Sequence, residues 1–376
     1  MENSKKITQL LELLVTSSGS DLHISPKNPP RTRRFGNLRP IPEHPLLEPK
    51  DTEEMLFSIL TEMQSAELKE HMALDFSFGI EGLARFRANF FMKDNGWAGV
   101  FRVIPFEIKS FEDLNLPPVV AELCNRPRGL VLVTGPTGSG KSTTLAAMID
   151  KINRERDEHI LTIEDPIEFV HQSQKCLVNQ REVGSHVKSF ADALRSALRE
   201  DPDVVLIGEM RDPETIEMAL RTAETGHLTF GTLHTNSASS TINRIIDAFP
   251  ANQQGQIRAQ LSVSLEGVLS QSLLPTSDGK GRIMALEVMT GTDGVRTLIR
   301  ENKIEQMYSM IQTGYEKFKM QTMEMSLARL ITEGKITREV AMEKSSVPET
   351  LESLLKSGGG ALTRANSPIS VGATNL

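Results

Sequence analysis

Residues Gly135-Pro136-Thr137-Gly138-Ser139-Gly140-Lys141-Ser142 decide how this chain folds, because they match the pattern G-x-x-x-x-G-K-[ST] of a phosphate-binding loop. The apolar run 130–134 precedes them and predicts a buried parallel strand. Behind them, Leu145, Met148 and Ile152 recur at helical spacing. A strand, a glycine-rich loop and a helix in this order form the structural context that such a loop requires.

The chemistry of this loop follows from its glycines and its lysine. Gly135, Gly138 and Gly140 let the backbone turn tightly, so main-chain amides form an anion-binding nest at a helix N-terminus. Lys141 reaches the β- and γ-phosphates, and Ser142 is a ligand for Mg²⁺. A chance octet in a glycine-rich turn is the alternative. We predict that ATP is bound by Gly135, Pro136, Thr137, Gly138, Ser139, Gly140, Lys141, Ser142 and Thr143, and that Ser142 also holds Mg²⁺.

Composition argues against several classes of protein. The chain has 376 residues, 39% hydrophobic and 24% charged, and its net charge of −7 argues against non-specific binding to nucleic acid. Its two cysteines, Cys124 and Cys176, are too few for a disulfide framework or a four-cysteine zinc site, and they fit a reducing cytoplasm. No apolar run is long enough to cross a bilayer. We therefore expect a cytoplasmic protein whose membrane association is peripheral or through a partner.

The order of the sequence patterns predicts two domains. Residues 1–104 are expected to form a small α+β domain, and residues 105–115 a linker next to two prolines. Residues 116–345 are expected to form an α/β domain with a mainly parallel sheet that binds ligands at the carboxyl ends of its strands. Residues 346–376 are expected to be a disordered tail. The predicted strands of the α/β domain are 130–134, 160–164, 203–208 and 228–233.

The first domain contains a basic stretch, residues 31–39. Its arginines are Arg31, Arg33, Arg34 and Arg39. A solvated strand or loop face is the main interpretation, and contact with an acidic neighbour is the alternative. Other patterns in this domain predict a helix at 5–17, one or two helices within 51–73, and strands at 21–25, 83–91 and 99–104.

An acidic pair follows the second predicted strand of the α/β domain. Glu164 and Asp165 come directly after the apolar run 160–163, and Pro166 ends the strand. A carboxylate at this edge can orient and deprotonate a water molecule for attack on a γ-phosphate. A polar strand end without chemistry is the alternative.

Another acidic residue follows the third predicted strand. Glu209 comes after the apolar run 204–207 and Gly208, at the place where nucleotide hydrolases more often have an Mg²⁺-binding aspartate. Glu209 is a candidate to contact Mg²⁺ through water or to assist as a base. Arg211 and Asp212 follow in the same segment, and they could equally form an ion pair with a purely structural role.

Two histidines bracket the fourth predicted strand. His227 and His234 are seven positions apart in the sequence and would make a poor metal pair. His234 follows the carboxyl end of the strand, where it can hydrogen-bond a γ-phosphate and report its hydrolysis. An ordinary core or surface histidine is the alternative.

These blocks together resemble the secretion-type ATPase superfamily and, within it, the type IV pilus retraction ATPases (the PilT family). The resemblance covers roughly residues 5–350. Beside the phosphate loop it rests on Ser20-Asp21-Leu22-His23, Ala84-Arg85-Phe86-Arg87, Thr162-Ile163-Glu164-Asp165-Pro166-Ile167-Glu168, Gly208-Glu209-Met210-Arg211-Asp212, and Thr225-Gly226-His227 through His234. Two further blocks, 178–183 and 193–199, also look like family blocks.

The resemblance implies a RecA-like P-loop ATPase domain behind a PAS-like N-terminal domain, assembled into a homohexamer with ATP near the domain and subunit boundaries. It implies that Glu164 is the general base, that Glu209 supports Mg²⁺ and that His234 senses the γ-phosphate. It also implies that arginines of the N-terminal domain complete the site of a neighbouring subunit. Arg87 and Arg102 best match those positions, and Arg85 is a further candidate.

The resemblance further implies a motor function. ATP hydrolysis would power the retraction, that is the disassembly, of type IV pili by rotating the platform protein of the inner membrane. Other pilus ATPases are further candidate partners, whereas nucleic acid is not. The protein would lie in the cytoplasm and associate peripherally with the inner membrane through the pilus machine.

Two segments depart from the family pattern. Arg31-Thr32-Arg33-Arg34 stands where the family commonly has an apolar alternating strand, which puts the pairing of the N-terminal sheet in doubt. The block Gly294-Val295-Arg296-Thr297-Leu298-Ile299-Arg300-Glu301 has weaker helix formers at its start and middle than its family counterpart. In the family this block is tied to retraction, so the retraction activity of this chain could be altered.

Other functions stay open at this point. A pilus-assembly or type II secretion ATPase usually carries a four-cysteine zinc site, for which this chain has too few cysteines. A retraction-accessory paralogue has nearly the same motifs. A nucleotide-gated scaffold is disfavoured by intact Lys141, Glu164 and Glu209, and a DNA-translocating motor by the acidic charge.

Overall fold

A computed structural model describes residues 2–34, 37–42, 44–104 and 108–356. The chain divides into two compact units, Met1–Glu107 and Ile108–Leu376. Within the described residues, no helix has the length and apolar character needed to cross a membrane.

The first unit is one antiparallel sheet with helices on one of its faces. The six strands lie in the order β3-β2-β1-β6-β5-β4. The elements are α1 Glu2–Thr16, β1 Asp21–Ile24, β2 Arg31–Arg34, β3 Asn37–Pro40, α2 Pro49–Phe57, α3 Glu62–His71, β4 Ala73–Ile80, β5 Ala84–Lys93 and β6 Gly96–Ile104.

Alternation along the strands separates the two faces of this sheet. Phe86, Phe90 and Phe101 are buried with the apolar stripe of α1, which includes Leu11 and Leu14. Because successive side chains of a strand point to opposite faces, the residues between them lie on the outer face. That outer face is where the arginines of β5 and β6 are placed.

The second unit is built on a seven-stranded sheet. Its elements are α4 Pro118–Cys124, β7 Gly129–Thr134, α5 Lys141–Glu155, β8 His159–Glu164, β9 Leu177–Glu182, α6 Phe190–Ala197, β10 Val204–Ile207, α7 Pro213–Glu224, β11 Leu228–Leu233, α8 Ala238–Asp247, α9 Ala251–Ser264, β12 Leu265–Pro275, β13 Arg282–Thr290, α10 Asp293–Arg300, a 3₁₀ turn Ile304–Gln306, α11 Met307–Thr313, α12 Tyr315–Phe318, α13 Met323–Thr332, α14 Arg338–Lys344 and α15 Pro348–Lys356.

The strand order of this sheet brings the sequence motifs to one edge. The order is β13-β12-β7-β11-β10-β8-β9, and only β13 runs antiparallel to its neighbour. Every residue of β7, β10 and β11 is buried, as expected for central parallel strands covered on both faces. Their carboxyl ends meet at the same edge, so the loops that follow β7, β8, β10 and β11 are neighbours.

The predicted mainly parallel sheet is confirmed, and the four predicted strands lie within a residue or two of β7, β8, β10 and β11. Three further strands of this sheet, β9, β12 and β13, were not predicted. In β9 the sequence Leu-Val-Asn-Gln-Arg-Glu has neither an apolar run nor strict alternation because the strand lies at the sheet edge. In β12 the polar residues Ser270, Gln271 and Ser272 interrupt the apolar pattern although all three are buried.

The basic stretch and the tail differ from two sequence expectations. Arg31–Arg34 does form a strand, β2, which pairs with β1 and β3, so the departure from the family pattern does not prevent pairing. The disordered tail predicted for 346–376 was wrong for 348–356, which form α15. This helix packs Leu351 into a cluster with α13, and Leu354 and Leu355 lie against it. The remaining tail residues, 357–376, lie outside the described residues.

Candidate functional site

The phosphate loop connects β7 to α5 in an open turn. Gly138 has a φ of 77°, and a side chain at this position would find no heavy atom within 4 Å, so its surface is free to receive a ligand. Gly135 has a φ of 144°, and an added Cβ would lie 2.3 Å from the carbonyl oxygen of Gln271. Both positions therefore require glycine. The backbone of this loop, held against β12 and open outward, fits a phosphate-binding cradle.

Buried polar side chains of β12 support the loop from beneath. Gln271 Nε2 donates to the carbonyl of Ser139 at 2.8 Å, and the hydroxyls of Ser270 and Thr134 are 2.8 Å apart. Among the described residues, Ser139 Oγ and Gln271 Oε1 are buried without a hydrogen-bond partner. Polar atoms in such positions are costly unless they serve a ligand or water. The polar residues Ser270 and Gln271 of β12 are thus explained by their contacts with the loop and with the strand end that precedes it.

Lys141 lies over the loop. Its Nζ donates to the carbonyl oxygens of Gly135 at 2.9 Å and Pro136 at 3.3 Å. Burial lowers the pKa of the Lys141 ammonium, and the carboxylates of Glu209 and Glu168 oppose this shift. The cation is therefore placed where the phosphates of a nucleotide would lie in this kind of loop.

Glu164 ends β8 with its carboxyl group held by two donors. The hydroxyl of Thr162 and Nε2 of Gln180 both donate to Oε1 of Glu164, at 2.7 and 3.1 Å. Burial raises the pKa of Glu164 to about 7, although these hydrogen bonds act to lower it. A carboxyl group with a pKa near neutrality is suited to accept a proton during turnover.

Gln180 is itself fixed by its surroundings. Its Nε2 also donates to the carbonyl of Phe169 at 2.8 Å, and its Oε1 accepts from the amide of His171 at 2.8 Å. The side chain thus joins the edge strand β9 to the base of the loop that follows Glu164. Motif reasoning did not single out Gln180 because nothing in a polar edge strand marks one residue as functional.

A small cavity of about 40 Å³ lies between α5, the helix that follows the phosphate loop, and Glu164. Its polar lining comes from Ser142, Thr162, Glu164, His171 and Thr232. The volume exceeds the minimum needed to hold a water molecule, and polar partners are present on several sides. Thr162 could have been predicted from the sequence, because it lies two residues before Glu164 on the same strand and therefore on the same face of the sheet. The loop serine and the acid of β8 thus border one polar space.

Glu209 lies beside the same edge and is paired on both oxygens. Its Oε2 accepts from Nη2 of Arg211 at 2.6 Å, and its Oε1 lies 2.9 Å from Nε2 of His234. Burial favours the neutral acid, but Arg211 and His234 outweigh it and lower the pKa of Glu209. Glu209 is therefore anionic at neutral pH, whereas Glu164 is only partly ionised there.

The structure corrects one alternative for this segment. Arg211 does not pair with Asp212 in a structural ion pair, because Asp212 is the N-cap of α7 and accepts from the amide of Thr215 at 2.8 Å. The other histidine of the sequence prediction, His227, lies at the opposite end of β11 from His234, and its Nδ1 is 3.0 Å from the carbonyl oxygen of Thr222. The described residues contain no group of three or more His, Cys, Asp or Glu side chains arranged to hold a metal ion.

The candidate arginines form a group in the first unit. Arg87 on β5 lies directly opposite Arg102 on β6. Arg87 makes a two-pronged pair with Asp75 at 3.2 and 2.6 Å, and Nε of Arg102 donates to Asp21 at 2.8 Å. Arg85 donates to the hydroxyl of Ser77 at 2.8 Å. The second unit therefore brings together the loop, Glu164, Glu209 and His234, while the arginines are assembled in the first unit.

Comparison with protein families matches this chain to secretion ATPases. The family model described as "T2SSE: Type II/IV secretion system protein" matches residues 108–358. The chain is 52% identical over 343 residues to "Type IV pilus retractation ATPase PilT" of Pseudomonas aeruginosa, which covers 91% of this chain and 99% of the relative. It is 51% identical over 322 residues to "Twitching motility protein" of Neisseria gonorrhoeae, which covers 86% of each.

A solved structure has the same fold. The "Crystal Structure of the Pilus Retraction Motor PilT and Bound ADP" superposes with a TM-score of 0.87 at 51% sequence identity. The match covers 92% of this chain and 99% of that chain. The family resemblance recognised from the motifs is thereby confirmed.

Proposed function

This chain belongs to the family of type II/IV secretion system proteins, and from that premise we propose that it is an ATPase that drives the retraction of type IV pili. The observation that carries this proposal is the placement of a phosphate loop and a near-neutral carboxyl group, Glu164, around one polar cavity. The high identity to a pilus retraction ATPase over nearly the whole chain supports the same function. In this proposal the second unit is a RecA-like motor domain and the first is PAS-like.

We infer that hydrolysis proceeds by attack of water on the γ-phosphorus of ATP. Main-chain amides of the loop and Lys141 hold the triphosphate and offset its charge. Glu164 accepts the proton of the attacking water, and ADP leaves with the bridging oxygen, so that inorganic phosphate is the second product. Thr162 and Gln180 keep the carboxylate of Glu164 in one orientation.

Mg²⁺ fits the residues of this site. Ser142 borders the cavity, Glu209 is anionic, and the open face at Gly138 leaves room for a metal-bound triphosphate. Ser142 would hold Mg²⁺, with Glu209 supporting it. When bound, the ion would supply charge neutralisation for the triphosphate. Hard oxygen ligands and few protein contacts are typical for Mg²⁺ at nucleotides.

His234 is proposed to report the state of the γ-phosphate. It follows β11 and contacts Glu209, so a new bond to phosphate would compete with that contact. The pair therefore gives the site two arrangements, one with and one without the γ-phosphate.

The proposal includes a ring of subunits. We infer a homohexamer in which Arg87 and Arg102 of one subunit reach the triphosphate bound by its neighbour, with Arg85 as a further candidate. Such a ring would turn the inner-membrane platform protein of the pilus machine, with other pilus ATPases as further partners. The protein would work in the cytoplasm against the inner membrane, without binding nucleic acid.

Steady-state phosphate release tests the chemical part of the proposal. Glu164→Gln should abolish turnover while nucleotide binding is kept, because the amide cannot accept the proton. Glu214→Gln is a matched control on α7, where the side chain is exposed. Near-normal turnover of the Glu164 variant would contradict the assignment of the base.

The cellular role needs a genetic test. Deletion of the gene should leave cells piliated but immotile if the enzyme retracts pili. Cells without pili would instead indicate an assembly ATPase of the same superfamily.

A further inference from the structure

A row of charged residues crosses the outer face of the first sheet. Pairing places Arg33 of β2 opposite Asp21 of β1, Asp21 opposite Arg102 of β6, and Arg102 opposite Arg87 of β5. Three arginines thus share one aspartate-containing row. Like charges directly opposite each other destabilise a sheet unless carboxylates separate or pair them.

Asp21 is the anchored member of this row. Only 4% of its surface is exposed, although it carries charge. One carboxylate oxygen accepts from the hydroxyl of Ser20 at 2.7 Å and the other from Nε of Arg102 at 2.8 Å. Nε of Arg33 is 3.8 Å from the first of these oxygens. A buried carboxylate with these partners is held in place far more firmly than an exposed one.

Arg102 is bound through Nε, which leaves the terminal nitrogens of its guanidinium group accessible to a ligand. The contact to Asp21 uses Nε, at the base of the guanidinium, and 70% of the Arg102 side chain is exposed. Arg87 differs, because both Nε and Nη2 are engaged by Asp75 and the pair is equally exposed at 43% on each side. The sheet therefore presents one arginine held at its base and one whose fork is already occupied.

We propose that Asp21 is a positioning residue that fixes Arg102 by its Nε atom, so that the terminal nitrogens of Arg102 project from the sheet towards the triphosphate of an adjacent subunit. This inference rests on the proposed trans role of Arg102. Asp21 touches no reacting atom, and it acts by restricting the directions that the guanidinium can take before the neighbour binds. A pre-positioned donor loses less conformational freedom in the transition state than a mobile one.

The kinetic signature separates positioning from a loss of fold. Asp21→Asn keeps the size of the side chain but removes the charge that anchors Arg102. We expect kcat for ATP hydrolysis to fall about tenfold or more, with ATP affinity within about twofold, because ATP is held mainly by the loop of the second unit. Asp94→Asn, an exposed aspartate of the same unit, is the matched control and should keep full turnover.

Mixed rings test whether the defect acts on the neighbouring subunit. An Asp21→Asn subunit keeps an intact phosphate loop and base, whereas a Glu164→Gln subunit keeps an intact arginine face. Co-expression of the two with different affinity tags should restore turnover to about a quarter of the wild-type level, since about one interface in four then joins two intact parts. Arg102→Ala mixed with Glu164→Gln is the reference pair and should behave in the same way.

The outcomes distinguish the two proposals. If Arg102→Ala is not rescued in mixed rings, the trans role of Arg102 fails and the function of Asp21 proposed above fails with it. If Arg102→Ala is rescued but Asp21→Asn is not, or if Asp21→Asn keeps normal turnover, the positioning role alone is overturned. Should Asp21→Asn not fold by circular dichroism, Ser20→Ala weakens the same anchor and should lower kcat by about threefold, again with rescue in mixed rings. Unchanged turnover of that variant would overturn the proposal.

Discussion

At the carboxyl edge of the second sheet, the carboxyl groups of Glu164 and Glu209 are largely shielded and held by hydrogen bonds, whereas Arg87 and Arg102 of the first sheet lie on an open face. The pKa of Glu164 is raised to about 7 because the protein shields it from water. Arg87, in contrast, is nearly half exposed beside Asp75. Enclosed groups have chemistry set by their own subunit, and open ones are available to another molecule. Removing a side chain from the shielded edge should therefore reduce turnover more than removing an arginine from the open face.

The largest effect is expected for Lys141→Ala. Loss of the ammonium removes the cation that lies over the loop, so nucleotide binding or hydrolysis should fall roughly 10³-fold or more. The fold should persist, because the hydrogen bonds of Lys141 go to carbonyl oxygens of the loop and not to the core of the domain. Fluorescent-nucleotide binding and phosphate release measure both effects. Near-normal turnover would contradict the assignment of the phosphate loop.

Arg87→Ala probes the open face. We expect a fall in kcat of about 10²-fold with little loss of ATP affinity, which is less than the full effect of an arginine finger because Arg102 remains. A nucleotide-binding titration measures the ATP affinity, and a phosphate-release assay on the same variant measures kcat. Unchanged turnover would rule out a role in trans for Arg87.

The pH dependence of turnover tests the enclosed carboxyl group. The pKa of Glu164 is about 7, and only the ionised form accepts a proton, so kcat should be full above pH 8 and fall about tenfold per pH unit well below pH 7. Phosphate release between pH 5 and 9 measures the profile. A rate that stays level down to pH 5 would indicate another base.

Gln180→Leu sharpens the same test. Gln180 donates to Glu164, which lowers the pKa of that carboxyl group, so its removal should move the acid limb of the profile to higher pH. Loss of one hydrogen bond predicts a fall in kcat of about fivefold at pH 7. Asn179→Leu, at the neighbouring exposed position, is the control. An unmoved acid limb would show that Gln180 only stabilises the loop.

The smallest effect is expected for Asp75→Asn. An exposed ion pair contributes about 0.2–1 kcal/mol, so release of Arg87 should leave kcat unchanged or raise it by less than about threefold. This sign is opposite to that expected for Asp21→Asn. A tenfold loss in steady-state turnover would mean that Asp75 positions Arg87 and does not restrain it.

Sequence reasoning predicted the parts of the site that depend on continuous apolar strands. Strands β7, β8, β10 and β11 are central and buried, so their residues are apolar and the motifs after them could be placed at one edge. Gln271 and Gln180 could not be found in this way, since a polar residue on an unpredicted strand looks like surface until its partners are known. The alternation of β5 indicated Arg85 and Arg87 only as a solvent face, and the suggested role of Arg87 and Arg102 came from the family resemblance.

In the proposed ring, the outer face of the first sheet has a consequence for how subunits hold together. It carries Arg31, Arg33, Arg85, Arg87 and Arg102 against Asp21 and Asp75, while the whole chain has a net charge of −7. If this face meets an acidic surface or a bound anion on the next subunit, added salt weakens that contact, because mobile ions screen exposed charges beyond roughly 10 Å at 0.1 M. Ionic strength would then loosen the assembly before it unfolds any single subunit, since both cores are apolar and insensitive to such screening.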